Sequence, residues 1–188
     1  MKSYRKNKEG FTLLEMMVVV AIVGIIAVIS ISNIISWLPR YRLKSAARDI
    51  YSNFQLAKLG AMRENKNWAV VFDVTANPGR YFVCSDNNGD GWNGPPVIGG
   101  NDNLEETVNL SDYKSGVNYG HGNATNAVGG TFGDEITFNN NVVVFNPRGL
   151  SNAGYIYLEN KNKKGTCAVG CLSSGVIILK KWNSVNWE

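Results

Sequence analysis

GFTLLEMMVVVAIVGIIAVISISNIISWLP, residues 10–39, decides how the rest of the chain must be arranged. After Glu15 no charged residue appears until Arg40. As a helix, about 20 apolar residues cross the roughly 30 Å hydrocarbon core of a bilayer. The run therefore predicts a membrane-spanning helix over 11–38. Glu15 is costly there: a carboxylate at the bilayer centre is disfavoured by about 2.5–3.5 kcal/mol on insertion scales, and by less near the interface. A residue kept at that cost should have a use.

Charge supports the same division. Residues 1–10 carry Lys2, Arg5, Lys6 and Lys8 against Glu9, and residues 11–50 carry Arg40, Arg42, Lys44 and Arg48 against Glu15 and Asp49. The formal net charge of +4 is thus concentrated at the two ends of the apolar run, and residues 51–188 come to −1. Whole-chain basicity is then poor support for nucleic-acid binding. A cleaved secretory signal would have an apolar core of only about 7–15 residues closed by small residues, which this run does not match. A plain anchor accounts for the length but not for Glu15.

KEGFTLLEMMVVVAIVGIIAVIS, residues 8–30, closely resembles the type IV prepilin N-terminus: a short basic leader, a Gly, then Phe-Thr-Leu-Leu-Glu and an apolar helix. The resemblance implies that a prepilin peptidase cuts between Gly10 and Phe11 and that the new Phe11 amine is methylated. It makes residues 1–10 the leader and Glu15 the fifth residue of the mature chain, with a part in assembly and register. Basic residues flank the span on both sides, so charge alone does not orient it. The family places the leader in the cytoplasm and the bulk in the periplasm, which implies a single-pass protein of the bacterial inner membrane.

The helix is expected to continue over 39–66, with Pro39 kinking it or opening a new first turn. Leu43, Ala47, Ile50, Phe54, Ala57 and Ala61 recur at steps of four and three, giving one apolar stripe for a core. Arg40, Arg42, Lys44 and Arg48 are available to lipid phosphates. From Trp68 the period becomes two. WAVVFDVT (68–75) and RYFVCS (80–85) flank the turn residues ANPG, and EITF (135–138), VVVFN (142–146), YIYLE (155–159) and GVIILKKW (175–182) read as further strands. A Gly- and Asn-rich tract, 86–133, lies between them. One helix followed by strands predicts an α+β fold: a long N-terminal membrane-spanning helix whose amphipathic upper half packs on an antiparallel β-sheet domain over 67–188.

VVFNPRGLSNAGYIYLENKN followed by GVIILKK resembles the GspH/FimT group of pseudopilins. There a Phe-x-Pro-x-Gly turn, here Phe145, Pro147 and Gly149, joins two strands. The ending KKWNSVNWE departs from the group.

Other groupings carry less. Asp86, Asn88 and Asp90, with Gly91, fit the start of a calcium loop, but its twelfth position is Val97 rather than Glu. A calcium site and an ordinary Asn/Asp/Gly turn are the two readings. Cys167 and Cys171 enclose AVG in a Lys- and Gly-rich stretch. Outside the cytoplasm a small disulfide loop is the favoured reading, since a metal site would want more ligands. Cys84 in a strand pattern reads as a buried thiol. One His, and no G-x-S-x-G, H-E-x-x-H or P-loop, leave no catalytic set, and no cofactor other than calcium is implied.

The expectation is therefore an assembly protein and not an enzyme: a minor pseudopilin of a type II secretion system, or alternatively a minor pilin of a type IV pilus. DNA capture through Lys161, Lys163, Lys164, Lys180 and Lys181 is disfavoured by the charge of the domain. The resemblance implies other pseudopilins or pilins, the prepilin peptidase, an inner-membrane assembly platform and the membrane as partners.

Overall fold

The computed structural model describes residues 10–87, 94–114 and 116–188, leaving aside the side chains of 29–34. The chain divides into two compact units, Met1–Leu38 and Pro39–Glu188. One helix, α1 (Leu13–Glu64), runs through both, with Pro39 accommodated inside it. Thr12 caps its start: its Oγ1 accepts the backbone N–H of Glu15 at 3.2 Å, satisfying one of the orphan donors of the first turn. Among the described residues no helix is long and apolar enough to cross a membrane.

In the second unit the helical period of the sequence becomes a buried stripe. Leu43, Ala47, Ile50, Phe54, Ala57 and Ala61 all lie in the core, joined by Ala46. Burying a Leu, Ile or Phe side chain is worth about 1.5–3 kcal/mol each. Phe54 is the centre, with the rings of Phe72, Phe138 and Phe145 all about 6 Å from it and tilted or edge-on. Alanines and Gly60 let the strands come close: a β-carbon on Gly60 would strike the Trp68 indole.

Two antiparallel four-stranded sheets pack on this stripe. The first, ordered β3-β2-β1-β5, comprises β1 (Trp68–Asp73), β2 (Arg80–Ser85), β3 (Asn103–Asn109) and β5 (Val142–Phe145). The second, ordered β4-β6-β7-β8, comprises β4 (Asn118–Tyr119), β6 (Gly154–Glu159), β7 (Thr166–Cys171) and β8 (Ile177–Lys181). Strand alternation sends Val70, Phe72, Tyr81 and Val83 to the helix, and Ala69, Val71, Phe82 and Cys84 to the far face of the first sheet. The far face of the second sheet is covered by the loop around Phe132 and by the C-terminal segment at Trp187. Tyr157 meets Phe132 at 5.0 Å and Trp187 at 5.6 Å, and the Trp187 indole N–H donates to the Asn126 carbonyl at 2.8 Å.

The α+β architecture is as expected, with corrections. Trp68–Asp73 and Arg80–Ser85 pair from Trp68↔Ser85 to Asp73↔Arg80 as the hairpin reading requires. The tract 86–133 contains β3 and β4, which polar residues and short length conceal. EITF contributes only an isolated bridge, Ile136↔Ile156, instead of a strand. Residues 166–171 form a fully buried strand in place of the expected loop. All six of its residues are buried, so it shows no alternation to read.

The edge of β5 is closed by a side chain. Asn152 Oδ1 accepts the N–H of Val144 at 2.8 Å, and Asn152 Nδ2 donates to the carbonyl of Val142 at 2.8 Å. The helix is also tied to the strands by polar contacts. Asn53 Nδ2 donates to the Tyr81 hydroxyl at 3.1 Å, the Tyr113 hydroxyl donates to Asp49 at 2.7 Å, and Lys58 Nζ donates to the Gly175 carbonyl at 2.9 Å.

Candidate functional site

The N-terminal stretch that decides the sequence reading is fully accessible where the structure describes it. Gly10 is exposed and a β-carbon built on it would meet nothing within 4 Å. Phe11, Leu13 and Leu14 are 78, 79 and 74% exposed, and apolar side chains from Met16 to Val28 remain about half exposed or more. So large an apolar surface on one chain marks an interaction surface or a membrane. Glu15 sits in the first helical turn, three residues after the cap Thr12. A carboxylate there lies at the positive end of the helix dipole. The Thr-x-x-Glu spacing is a capping signature that reading the chain by family pattern passes over, although both residues are in plain view. Of the expected leader, 1–10, residues 1–9 lie outside the described residues.

The Phe145–Gly149 turn carries the chain from the first sheet toward the second. Asn146 holds it, its carbonyl accepting from Gly149 N–H at 2.8 Å and its Oδ1 from the N–H groups of Arg148 and Leu150. Gly149 takes φ +76°, a left-handed conformation suited to glycine. The small hollow beside it is lined by Asn65, Asn146, Pro147 and Arg148 and brings no nucleophile or base together.

Cys167 and Cys171 do not form a disulfide. Both are free and buried on β7, facing the core. Residues four apart on one strand are about 13 Å apart along it, against the roughly 4.4–6.8 Å that a bridge spans between α-carbons. Burial pushes the Cys84 thiol up to about 12 and Cys167 to about 11, Lys181 and Lys44 partly offsetting the second. Cys171 is also raised by burial, softened by Ser151, whose hydroxyl lies 2.8 Å from its sulfur. All three are protonated, inert thiols.

Asp86 is buried at the end of β2, and its N–H donates to the Asn67 carbonyl at 2.9 Å. Asn88 and Asp90, the other expected calcium ligands, lie outside the described residues. Asp102, buried, accepts the N–H of Gly94 at 2.6 Å and of Asn87 at 3.3 Å. Among the described residues no group of three or more His, Cys, Asp or Glu could hold a metal ion. His121 stacks on Phe132 at 4.3 Å in the cover of the second sheet.

Comparison with known proteins agrees with this arrangement. Residues 5–31 match the prokaryotic N-terminal methylation motif, and residues 46–175 match the model of type II transport protein GspH. No curated protein sequence matches the chain. A solved structure, the minor pseudopilin EpsH from the type 2 secretion system of Vibrio cholerae, is similar at 16% sequence identity and a TM-score of 0.50. The likeness covers 73% of this chain and 95% of that one, and shows the shared fold. The longer family match runs from the buried half of the helix to the last hairpin turn, and on that basis the chain belongs to the GspH family of type II transport proteins.

Proposed function

We propose that this chain is a minor pseudopilin, a structural subunit that joins other pseudopilins in the short periplasmic filament of a type II secretion system. Its role is assembly rather than catalysis. The observation that carries this reading is the exposed apolar half of α1 ahead of a folded domain, with Glu15 in its first turn. Residues 11–38 anchor the monomer in the inner membrane as a single pass, and the domain over 67–188 stands in the periplasm. The family matched is one of secretion, which favours this over a type IV pilus.

Prepilin peptidase cuts between Gly10 and Phe11 and methylates Phe11. Cleavage frees a positive amine within about one helical turn of Glu15. An unpaired carboxylate in apolar surroundings is unfavourable, and a neighbour's Phe11 amine relieves it. Pairing between subunits turns the penalty carried by the monomer into a driving force and register mark for docking. Intact-mass analysis of membrane-extracted protein tests the first step: the chain begins at methylated Phe11, and recovery of uncut Met1 chains beside an active peptidase refutes it. Glu15→Val leaves cleavage and the domain intact while weakening crosslinks to partner pseudopilins and secretion. Wild-type crosslinking by that variant would refute the pairing.

A further inference from the structure

Two turns of the second sheet close around the helix at the end where it leaves the apolar stretch. The β6–β7 turn is seated there by Gly165, where a β-carbon would stand 3.4 Å from Leu43 Cδ2. The turn has a fixed form: Lys163 N–H donates to the Asn160 carbonyl at 2.8 Å, Lys164 N–H donates to Asn160 Oδ1 at 3.1 Å, and Lys163 takes φ +51°. β8 runs toward the same end. Trp182 N–H donates to the Thr166 carbonyl at 3.0 Å, after which the chain turns through 183–186 and returns beside Lys181. Lys161, Lys163, Lys164 and Lys181 are exposed on these turns, and Arg40 and Lys44 on the helix beneath. Carboxylates approach this set at Lys163, where Glu159 lies 3.8 Å away, and beside Lys181, whose backbone exchanges both hydrogen bonds with that of the exposed Glu188. Val185, at the tip of the second turn, is 70% exposed.

This segregation of positive charge occurs in a chain whose residues 51–188 sum to −1. Chain continuity keeps Arg40 and Lys44 within about two helical turns of the apolar stretch. Resting on the membrane-anchored reading above, we propose that the rim formed by Lys161, Lys163, Lys164 and Lys181 with Arg40 and Lys44 docks on anionic lipid headgroups. The ammonium groups pair with phosphodiester oxygens, and Val185 enters the interfacial layer between them. Attraction of this kind acts within a Debye length of the surface and is screened by salt. The domain is thereby held against the bilayer until it joins a filament, and joining requires the rim to let go.

The test uses the full chain reconstituted in vesicles, with a nitroxide on Asn162→Cys; the three native cysteines are buried. A second label on Ser173→Cys, in the turn at the opposite end of β7, is the control. In phosphatidylglycerol vesicles the label at 162 collides several-fold less often with a water-soluble relaxing agent than in phosphatidylcholine vesicles. At about 1 M salt, where the Debye length falls to about 3 Å, the difference disappears. The label at 173 is unchanged throughout, and replacing Lys161, Lys163 and Lys164 with Gln abolishes the protection. Equal collision rates in the two lipids, in a chain that resists alkaline extraction, overturn the docking. Release of the chain by alkaline extraction overturns the anchored reading instead. Protection by short DNA but not by phosphatidylglycerol overturns the lipid as partner.

Discussion

Gly149 and Gly175 lie so close that the carbonyl oxygen of the first occupies the place a side chain on the second would take. Gly149 ends the Phe-x-Pro-x-Gly turn between β5 and β6, and Gly175 closes the β7–β8 hairpin at φ +74°. Lys58 of α1 bonds the Gly175 carbonyl, so two turns and the helix are fixed together at one point. Gly175→Ala should therefore cost about 2–4 kcal/mol, from steric overlap and a strained left-handed backbone together. Denaturant unfolding of the variant measures this, and a loss below about 0.5 kcal/mol, the range of an ordinary surface change, would contradict it.

Thiol chemistry follows from the strand position of Cys167 and Cys171. Under non-reducing native conditions a small alkylating agent should modify none of Cys84, Cys167 and Cys171, whereas in denaturant it modifies all three. A chain lighter by two hydrogens, with only one thiol reactive after unfolding, would reinstate a bridge.

Stability should fall in alkali. Burial raises the folded Cys84 and Cys167 thiols to about 12 and about 11, against roughly 8.5 in an unfolded chain. A pKa raised on folding means that the stabilisation is complete below the unfolded value and is lost as pH rises through the folded one. Melting temperature should thus decline from about pH 8.5 upward, as only the unfolded thiols ionise. The slope should be shallower in Cys84→Ala, and an identical slope in that variant would mean the thiol does not contribute.

Asp102 accepts the backbone N–H groups of both Asn87 and Gly94. Asp102→Ala leaves the buried Gly94 N–H unpaired and should destabilise by about 1–3 kcal/mol with or without calcium. Chelation should leave the wild-type melting curve where it is. A melting temperature that falls on chelation, and does not in Asp90→Ala, would place an ion at Asp86, Asn88 and Asp90.

What is legible in the sequence is what repeats. The three- and four-residue steps from Leu43 to Ala61 predict the buried stripe, because every member is apolar and a helix has one core-facing side. The hairpin over 68–85 is legible from its flanking β-branched runs and intervening Pro-Gly, and its pairing follows. β7 escapes such reading because TCAVGC is short, glycine-bearing and buried on both faces, so a central strand looks like a cysteine loop. β3 escapes it for the opposite reason: NLEETVN is an exposed edge strand rich in polar residues. At the N-terminus, Gly10, Phe11 and Glu15 stand out by family pattern, while the cap formed by Thr12 is a matter of local geometry.

Asn152 limits what the first sheet can join. Its amide copies the donor and acceptor of a neighbouring strand, so the outer rung of β5 at Val142 and Val144 is already occupied. An unpaired edge is a template on which another chain can pair. Asn152 acts as a stopper at the β5 edge, while the β3 edge on the other side of the sheet is guarded by the exposed charges of Glu105 and Glu106.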